Sequence, residues 1–225
     1  IRGRDVTGVQ TCALPIFFGA SYVLFMRDAM FLPDNRIMYL LAAGSAGVFF
    51  AVRKWGRFAD RNGSGRAMYK LALAHGLGAL AFLILTPRHA WCYWALWPMI
   101  VWVHIAGSSF WAVIHRAMLN TVEQRFLVAY TNLWMLSTSF VLGITPILAG
   151  KIIDGWGMAG FHACFLLAGF GEVACAYLSP LLVRDGPGGG RQGVFFLADP
   201  FVAAARMLWI SFGFDESNRG RYEKT

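Results

Sequence analysis

The stretch Trp55-Gly-Arg-Phe-Ala-Asp60-Arg61-Asn-Gly63-Ser-Gly65-Arg66 lies between two hydrophobic segments and is the most informative part of the chain. Its charged side chains are too dense to be buried beside apolar helices, so they must lie in water or among lipid headgroups. Its glycines permit a tight reversal of the backbone, because glycine adopts positive φ without a steric penalty. The stretch therefore predicts a short polar connection between two membrane-spanning helices.

The composition of the chain also favours a membrane location. Of its 225 residues, 57% are hydrophobic and only 14% are charged, which leaves too little polar surface for a soluble domain of this size. The net charge of +8 does not indicate nucleic-acid binding, because the basic residues fall in short loops rather than along one face. The cysteines Cys92, Cys164 and Cys175 fall in or beside apolar segments and are expected to be buried free thiols.

The hydrophobic segments predict an all-α membrane protein with six helices. A transmembrane helix needs roughly 20 predominantly apolar residues. Five complete candidates occur, at about residues 36–52, 67–86, 91–114, 127–150 and 159–183. Residues 17–26 are interpreted as the surviving end of a sixth helix.

The distribution of lysine and arginine predicts the orientation, because cytoplasmic loops carry an excess of these residues. One side of the predicted helices has only Arg27, Arg36, Arg88 and Lys151. The other side has Arg53, Lys54, Arg57, Arg61, Arg66, Lys70, Arg116, Arg125, Arg184, Arg191 and Arg206. We therefore expect the Asp60 connection and the C-terminus to be cytoplasmic.

Both ends of the chain differ from the hydrophobic segments. Residues 6–16 can be written in codons that reproduce one reading frame of a common sequencing adapter, and we interpret residues 1–16 as a non-native artefact. The alternative is a genuine loop that matches by chance. At the other end, the sequence predicts a Gly/Pro linker at 184–198, an interfacial amphipathic helix at 199–213 and a polar tail at 214–225.

The pattern formed by Gly56, Asp60, Arg61, Gly63 and Arg66 resembles the cytoplasmic loop motif of the major facilitator superfamily (MFS) of transporters. Two further features are similar to that family. They are the connection from Asn120 to Asn132, and the Gly143-Ile-Thr-Pro146-Ile-Leu-Ala-Gly150 pattern in the helix that follows. The departures are Phe58, where the family prefers Leu, and Ser64-Gly65 before the final arginine. The resemblance covers residues 17–183 and implies helices 7–12, the C-terminal half of a twelve-helix bundle.

The resemblance implies a secondary active transporter that moves a small solute by alternating access across the plasma (inner) membrane. The implied partners are the lipid bilayer, a missing N-terminal six-helix half, a small-molecule substrate and, as an open alternative, a coupling proton. The loop motif would then act as a conformational latch, with Asp60 accepting hydrogen bonds from basic groups and from a helix N-terminus. The alternative is a positively charged topology loop with no switching role.

Four polar residues within the predicted helices are candidate contacts for substrate or proton: His104, Ser108, Ser109 and Glu172. His104 lies at mid-depth of the helix that resembles helix 10, which commonly lines the central cavity of the family. Glu172 is an acid in a costly position. For both residues the alternative is a structural role with a hydrogen bond to a neighbour. His75 is placed nearer the cytoplasmic end and is not selected. Gly143, Pro146 and Gly150 are candidates for helix bending or gating.

The sequence contains no pattern that indicates an enzyme. It has no His-Glu-x-x-His metal site, no Gly-x-Ser-x-Gly nucleophile elbow and no paired carboxylates placed for two-metal chemistry. We therefore expect no catalytic residue, cofactor or metal. A non-transporting membrane receptor or assembly protein on the same fold remains an alternative, because a fold alone does not determine function. The sequence does not identify the substrate, the direction of transport or the coupling ion.

Overall fold

A computed structural model describes residues 13–122 and 124–183, and these residues form an all-helical bundle without strands. Its helices are α1 (Ala13–Leu24), α2 (Asp34–Asn62), α3 (Ser64–Ala81), α4 (Ala90–Thr121), α5 (Leu127–Trp156) and α6 (Met158–Leu182). Short π and 3-10 turns follow α1 at Phe25–Ala29, follow α3 at Phe82–Ile84 and precede α5 at Gln124–Phe126. The expected linker at 184–198, interfacial helix at 199–213 and polar tail at 214–225 lie outside the described residues.

Five of these helices, α2 to α6, are long and apolar enough to cross a membrane. Each contains most or all of one of the five complete hydrophobic segments, so the prediction of five helices able to cross a membrane is confirmed. Helix α1 includes residues 17–24 of the expected sixth helix. Its first turn is formed by residues 13–16, which the sequence assigns to the non-native N-terminal stretch. Cys92, Cys164 and Cys175 are buried and free, as expected.

The connection predicted around Asp60 is almost entirely helical, which corrects the expected loop. Helix α2 continues to Asn62, helix α3 begins at Ser64, and Gly63 alone, with a φ of 87°, makes the reversal. The prediction of a glycine with positive φ therefore holds at Gly63 only. Helix α2 outlasts its apolar segment because Ala51, Trp55 and Ala59 continue one buried face at a spacing of four residues. Arginine and lysine on the opposite face are good helix formers in a polar layer.

The helices pack in an order that repeats. The most extensive contact joins α3 and α6, and further contacts join α2 with α4, α3 with α4, α1 with α5, and α1 with α6. If α1, α2 and α3 are exchanged with α4, α5 and α6, respectively, each of these packed pairs becomes another pair of the same set or remains the same pair. Successive spans joined by short connections run in opposite directions, so the two triplets have inverted orientations. The described bundle therefore has the helix packing of an inverted repeat.

Two clusters of buried side chains fill the bundle. One surrounds Trp55, Tyr69 and Phe110 towards the α2–α3 connection. The other lies towards the opposite end and centres on Phe18, Phe25, Phe82 and Phe165. The ring centroids of Phe18 and Phe82 are 5.2 Å apart, and those of Phe82 and Phe165 are 5.4 Å apart, within the usual range for aromatic pairs. The π turn at Phe25–Ala29 is part of this packing because it buries Phe25 completely.

Helices α3 and α6 approach so closely that their backbones touch. A Cβ atom added to Gly76 would lie 2.9 Å from the carbonyl oxygen of Gly169, and one added to Gly169 would lie 3.1 Å from that of Gly76. Small residues allow such close crossings in membranes, where packing rather than the hydrophobic effect drives helix association. The same helix pair carries the polar contact described below, so the glycines determine more than packing.

We predict that Gly76→Ala lowers the free energy of unfolding by about 1–3 kcal/mol, because the added methyl group meets backbone that cannot move cheaply. Equilibrium unfolding in mixed micelles, followed by tryptophan fluorescence, measures this. The matched control is Gly155→Ala in α5, where no atom lies within 4 Å of the added Cβ. The control should be neutral or stabilised by up to about 1 kcal/mol. Equal stability of the two variants would contradict a close crossing at Gly76.

Candidate functional site

Arg116 of α4 joins the end of α2 to the start of α3. Its Nε donates a hydrogen bond to Oδ1 of Asp60 over 2.7 Å, and its Nη1 donates to Oγ of Ser64. Ser64 is the first residue of α3 and is fully buried. We call Asp60, Ser64 and Arg116 the Asp60 junction. One guanidinium therefore connects three helices at the end of the bundle that carries most of the lysine and arginine.

Gly65 extends the same end of the bundle to α6. A Cβ atom on Gly65 would lie 2.4 Å from the carbonyl oxygen of Val183 and 3.2 Å from Cα of Pro180. A larger residue would therefore push α3 away from the end of α6. Ser64 and Gly65 are the positions at which the sequence departs from the family pattern. In this bundle they provide a hydrogen-bond acceptor for Arg116 and close backbone packing, respectively.

The other members of the predicted latch motif are arranged differently from one another. Gly56 has open space where a Cβ would be, so its small size is not needed for packing. Arg61 is exposed, and Arg66 is half-buried at the start of α3. The structure thus gives Asp60 a basic partner, as the latch hypothesis expects, but the partner is Arg116. The sequence had assigned Arg116 only to the topology charges.

The Asp60 junction is only weakly stabilising. The side chain of Asp60 is 63% exposed and that of Arg116 is 22% exposed, and exposed ion pairs contribute about 0–1 kcal/mol. An energy of this size changes the ratio of two conformations by no more than about fivefold, because tenfold requires 1.4 kcal/mol. The junction can therefore bias a conformational equilibrium and still break readily.

A double-mutant cycle with Asp60→Asn and Arg116→Gln tests the junction. We expect a coupling energy of about 0.2–1 kcal/mol in unfolding experiments at low salt, decreasing as salt is added. The matched control cycle pairs Asp60→Asn with Arg125→Gln, which removes a different cation and should give the smaller coupling. Equal coupling in both cycles would mean that Asp60 responds to the general positive charge and not to Arg116.

Glu172 and His75 form a hydrogen-bonded pair in the middle of the bundle. Oε2 of Glu172 is bonded to Nδ1 of His75, and both side chains are buried. Oε1 of Glu172 is also buried and has no hydrogen-bond partner among the described residues. The hydrogen bond to a neighbour, one of the two alternatives for Glu172, is therefore present. The placement of His75 near the cytoplasmic end was wrong, because His75 lies at the middle of the Ser64–Ile84 span.

His104 lies in a separate polar environment on α4. Its Nδ1 donates to the carbonyl oxygen of Ile100 over 2.9 Å, which leaves Nε2 as the acceptor nitrogen. The ring packs against Gly44 of α2, where a Cβ would come within 2.6 Å of Cγ of His104. Its centroid is 6.1 Å from that of Tyr22 in α1. His104 therefore lies among α1, α2 and α4, whereas Glu172 joins α3 to α6.

The remaining candidates do not gather into one site with His104 and Glu172. Ser109 is buried, and its Oγ has no hydrogen-bond partner within the described part of the chain. Ser108 is half-buried. Helix α5 runs without interruption through Gly143, Pro146 and Gly150, and no atom lies within 4 Å of a Cβ placed on either glycine. These α5 positions lie on the outward face of the bundle.

Residues 13–122 and 124–183 hold no group of three or more His, Cys, Asp or Glu side chains that could bind a metal. Comparison of the chain with protein-family models, with curated proteins and with solved structures finds no match. Over the described residues, the fold is that of an all-helical protein with five helices long and apolar enough to cross a membrane.

Two contacts that shape the candidate sites were absent from the sequence interpretation, namely His75 with Glu172 and Arg116 with Asp60. A signal for the first does exist in the sequence. In the middle of the described spans Glu172 is the single acid, and His75 and His104 are the two histidines available to pair with it. Only His75 is followed by a glycine that allows a backbone crossing. For Arg116 we find no comparable signal, because it is one of several cations at that end.

Proposed function

We propose that this chain is the C-terminal six-helix half of a secondary active transporter of the major facilitator type, which moves a small solute by alternating access. The observation that supports this most is the packing order of the helices. Exchange of the first three helices for the last three maps the packed pairs onto one another. Inverted repeats of this kind are typical of secondary transporters, in which the substrate binds near the midplane of the membrane.

The exposed faces of α2 and α5 also support the proposal. These two helices occupy equivalent positions in the two halves of the repeat. They are also the least buried of the five long spans. Near its middle, α2 exposes Ala42 and Ser45, and α5 exposes Ser139 and Gly143, among larger exposed apolar residues such as Phe140. Small and polar residues favour close helix contact or a polar cavity over contact with lipid tails. Both faces therefore suit a second six-helix bundle and the cleft between the two bundles.

The proposed location is the plasma (inner) membrane, with several spans and a cytoplasmic C-terminus. Its support is the excess of lysine and arginine at the end of the bundle that contains the Asp60 junction. On this orientation the junction faces the cytoplasm, the side on which the family motif lies. The mostly apolar and aromatic spans are compatible with an amphipathic or hydrophobic solute, without selecting one.

Solute exchange by proteoliposomes that contain the full-length protein tests the proposed function. The probe is a defined mixture of amino acids, sugars, organic acids and aromatic amines, analysed by mass spectrometry after uptake. We expect at least one solute to accumulate faster than in protein-free liposomes, and an imposed pH gradient to change its rate. A protein that inserts and folds but moves none of these classes would contradict the proposal and favour a receptor or assembly role.

Asp60→Asn should change the initial rate of transport measurably, by up to about fivefold, and leave the inserted amount unchanged, because the junction is worth about 1 kcal/mol at most. The matched control is Asp154→Asn, which removes an exposed carboxylate from α5 and should leave the rate as it is. The two readouts are solute uptake and the quantity of protein in the membrane fraction. Normal transport by Asp60→Asn would leave the junction as a topology signal only.

A further inference from the structure

We infer that the His75–Glu172 pair is a buried proton-binding site. Glu172 holds an exchangeable proton in this site, and His75 conducts the proton toward α4. The use of this proton in coupling rests on the transport function proposed above, whereas the binding of the proton does not. The inference starts from the contact itself, because a carboxyl group and an imidazole are joined by a hydrogen bond in the middle of a membrane-spanning bundle.

The Oε1 atom of Glu172, which has no hydrogen-bond partner among the described residues, indicates where the proton lies. A carboxylate ion needs donors at both oxygens, and here Oε1 is buried without one among the described residues. Leaving a charged acceptor unsatisfied costs more than leaving a neutral carbonyl oxygen unsatisfied. The form that fits this geometry is therefore the neutral acid, in which Oε2 donates its hydrogen to Nδ1 of His75. His75 then carries its own hydrogen on Nε2.

The second ring nitrogen of His75 faces another helix. A Cβ atom on Gly107 of α4 would lie 3.0 Å from Nε2 of His75, so a glycine at this position leaves room beside that nitrogen. His104 lies one helical turn before Gly107 on the same side of α4. The Nε2 atom of His75 therefore faces the segment of α4 that carries the second imidazole.

The proton exchange balances with one water molecule as the final acceptor. The O–H bond of Glu172 breaks as a new N–H bond forms at Nδ1 of His75, and the N–H bond at Nε2 breaks as that proton passes to water on the α4 side. The products are one protonated water molecule, a Glu172 carboxylate and a neutral His75 that now donates from Nδ1. The net charge of the pair changes from zero to minus one. Reversal of the same steps reloads the site.

Few other titratable groups face this pair. On α4 the group is His104, and on α1 it is Tyr22, which lies against His104. On α6, Cys164 and Cys175 lie along the same face as Glu172. Helix α5 contains no Asp, Glu, His, Cys, Tyr, Lys or Arg between residues 131 and 150, and α3 contains none besides His75 between residues 71 and 84. Glu172 is thus the single carboxyl group in the centre of the described bundle.

Infrared spectroscopy of the full-length protein in phosphatidylcholine vesicles, titrated from about pH 4 to pH 10, tests the site directly. We expect a protonated-carboxyl band that is present at low pH, is lost as pH rises and is absent from Glu172→Gln. The matched control, Asp154→Asn, should retain the band. A band that never titrates would mean a permanently neutral Glu172 and would overturn the inference. An infrared spectrum of Glu172→Gln identical to that of the wild-type protein would also overturn the inference.

A second variant keeps the inference testable where Glu172→Gln does not fold. His75→Gln retains a polar side chain but removes the imidazole, and it should move the midpoint of the band by at least about one pH unit. His115→Gln, in which an exposed histidine of α4 is replaced, should leave the midpoint in place. An unchanged midpoint in His75→Gln would refute a functional pair.

The two proposals fail in different ways. A band that titrates in a protein that moves no solute would overturn the transport function and leave the proton site intact. Solute transport with the same pH dependence in the wild-type protein and in Glu172→Gln, together with a band that does not titrate, would overturn the proton site and leave the transport function intact.

Discussion

A carboxyl group in the middle of a bilayer has no water to solvate it, and the centre of this bundle is arranged around that constraint. Glu172 obtains its partner, His75, from another helix. The partner is within reach only because Gly76 and Gly169 let the two backbones touch. The crossing of α3 and α6 is the most extensive helix contact in the described bundle. The remaining helices pack on either side of this crossing.

The His75–Glu172 contact and the Asp60 junction differ in how much free energy is lost when they break. Removing one partner of a buried hydrogen bond leaves the other unsatisfied at a cost of about 1–3 kcal/mol, whereas an exposed pair such as Asp60–Arg116 contributes about 0–1 kcal/mol. We therefore expect the His75–Glu172 contact to persist while α3 and α6 remain packed, and the Asp60 junction to break at a lower cost. This division suits the proposed transport function, in which the bundle would move as a rigid body about its α2 and α5 faces. Bound protons would then act inside the bundle, and the junction would act at its edge.

Much of the fold could be predicted from the sequence, for a physical reason. Every backbone group within lipid must be hydrogen-bonded inside its own segment, so long apolar runs such as residues 127–150 and 159–183 leave helices as the solution. The end of α2 was missed because the apolar run stops near residue 52. However, Ala51, Trp55 and Ala59 already carry the four-residue spacing of a buried helix face. The single reversal at Gly63 follows from that extension and not from the number of glycines.

The candidate sites were predictable only in part. Asp60 and Glu172 stand out by chemistry, because one belongs to a dense charged stretch and the other is an acid among apolar residues. Their partners do not stand out, since Arg116 is 56 residues from Asp60 and His75 is 97 residues from Glu172. Such pairings depend on which helices cross and at what depth. The close crossing at Gly76 and Gly169, and not the hydropathy of α3, brings His75 to the depth of Glu172.

The most direct test of the account is whether the middle of α5 is reached by water from both sides of the membrane. Ser139→Cys places a thiol at the exposed centre of α5, and Phe170→Cys places one on the exposed side of α6. In the full-length protein, a membrane-impermeant thiol reagent should modify Ser139→Cys from either side and Phe170→Cys from neither. Protection of Ser139→Cys from both sides, as for a residue that faces lipid, would contradict alternating access at this face.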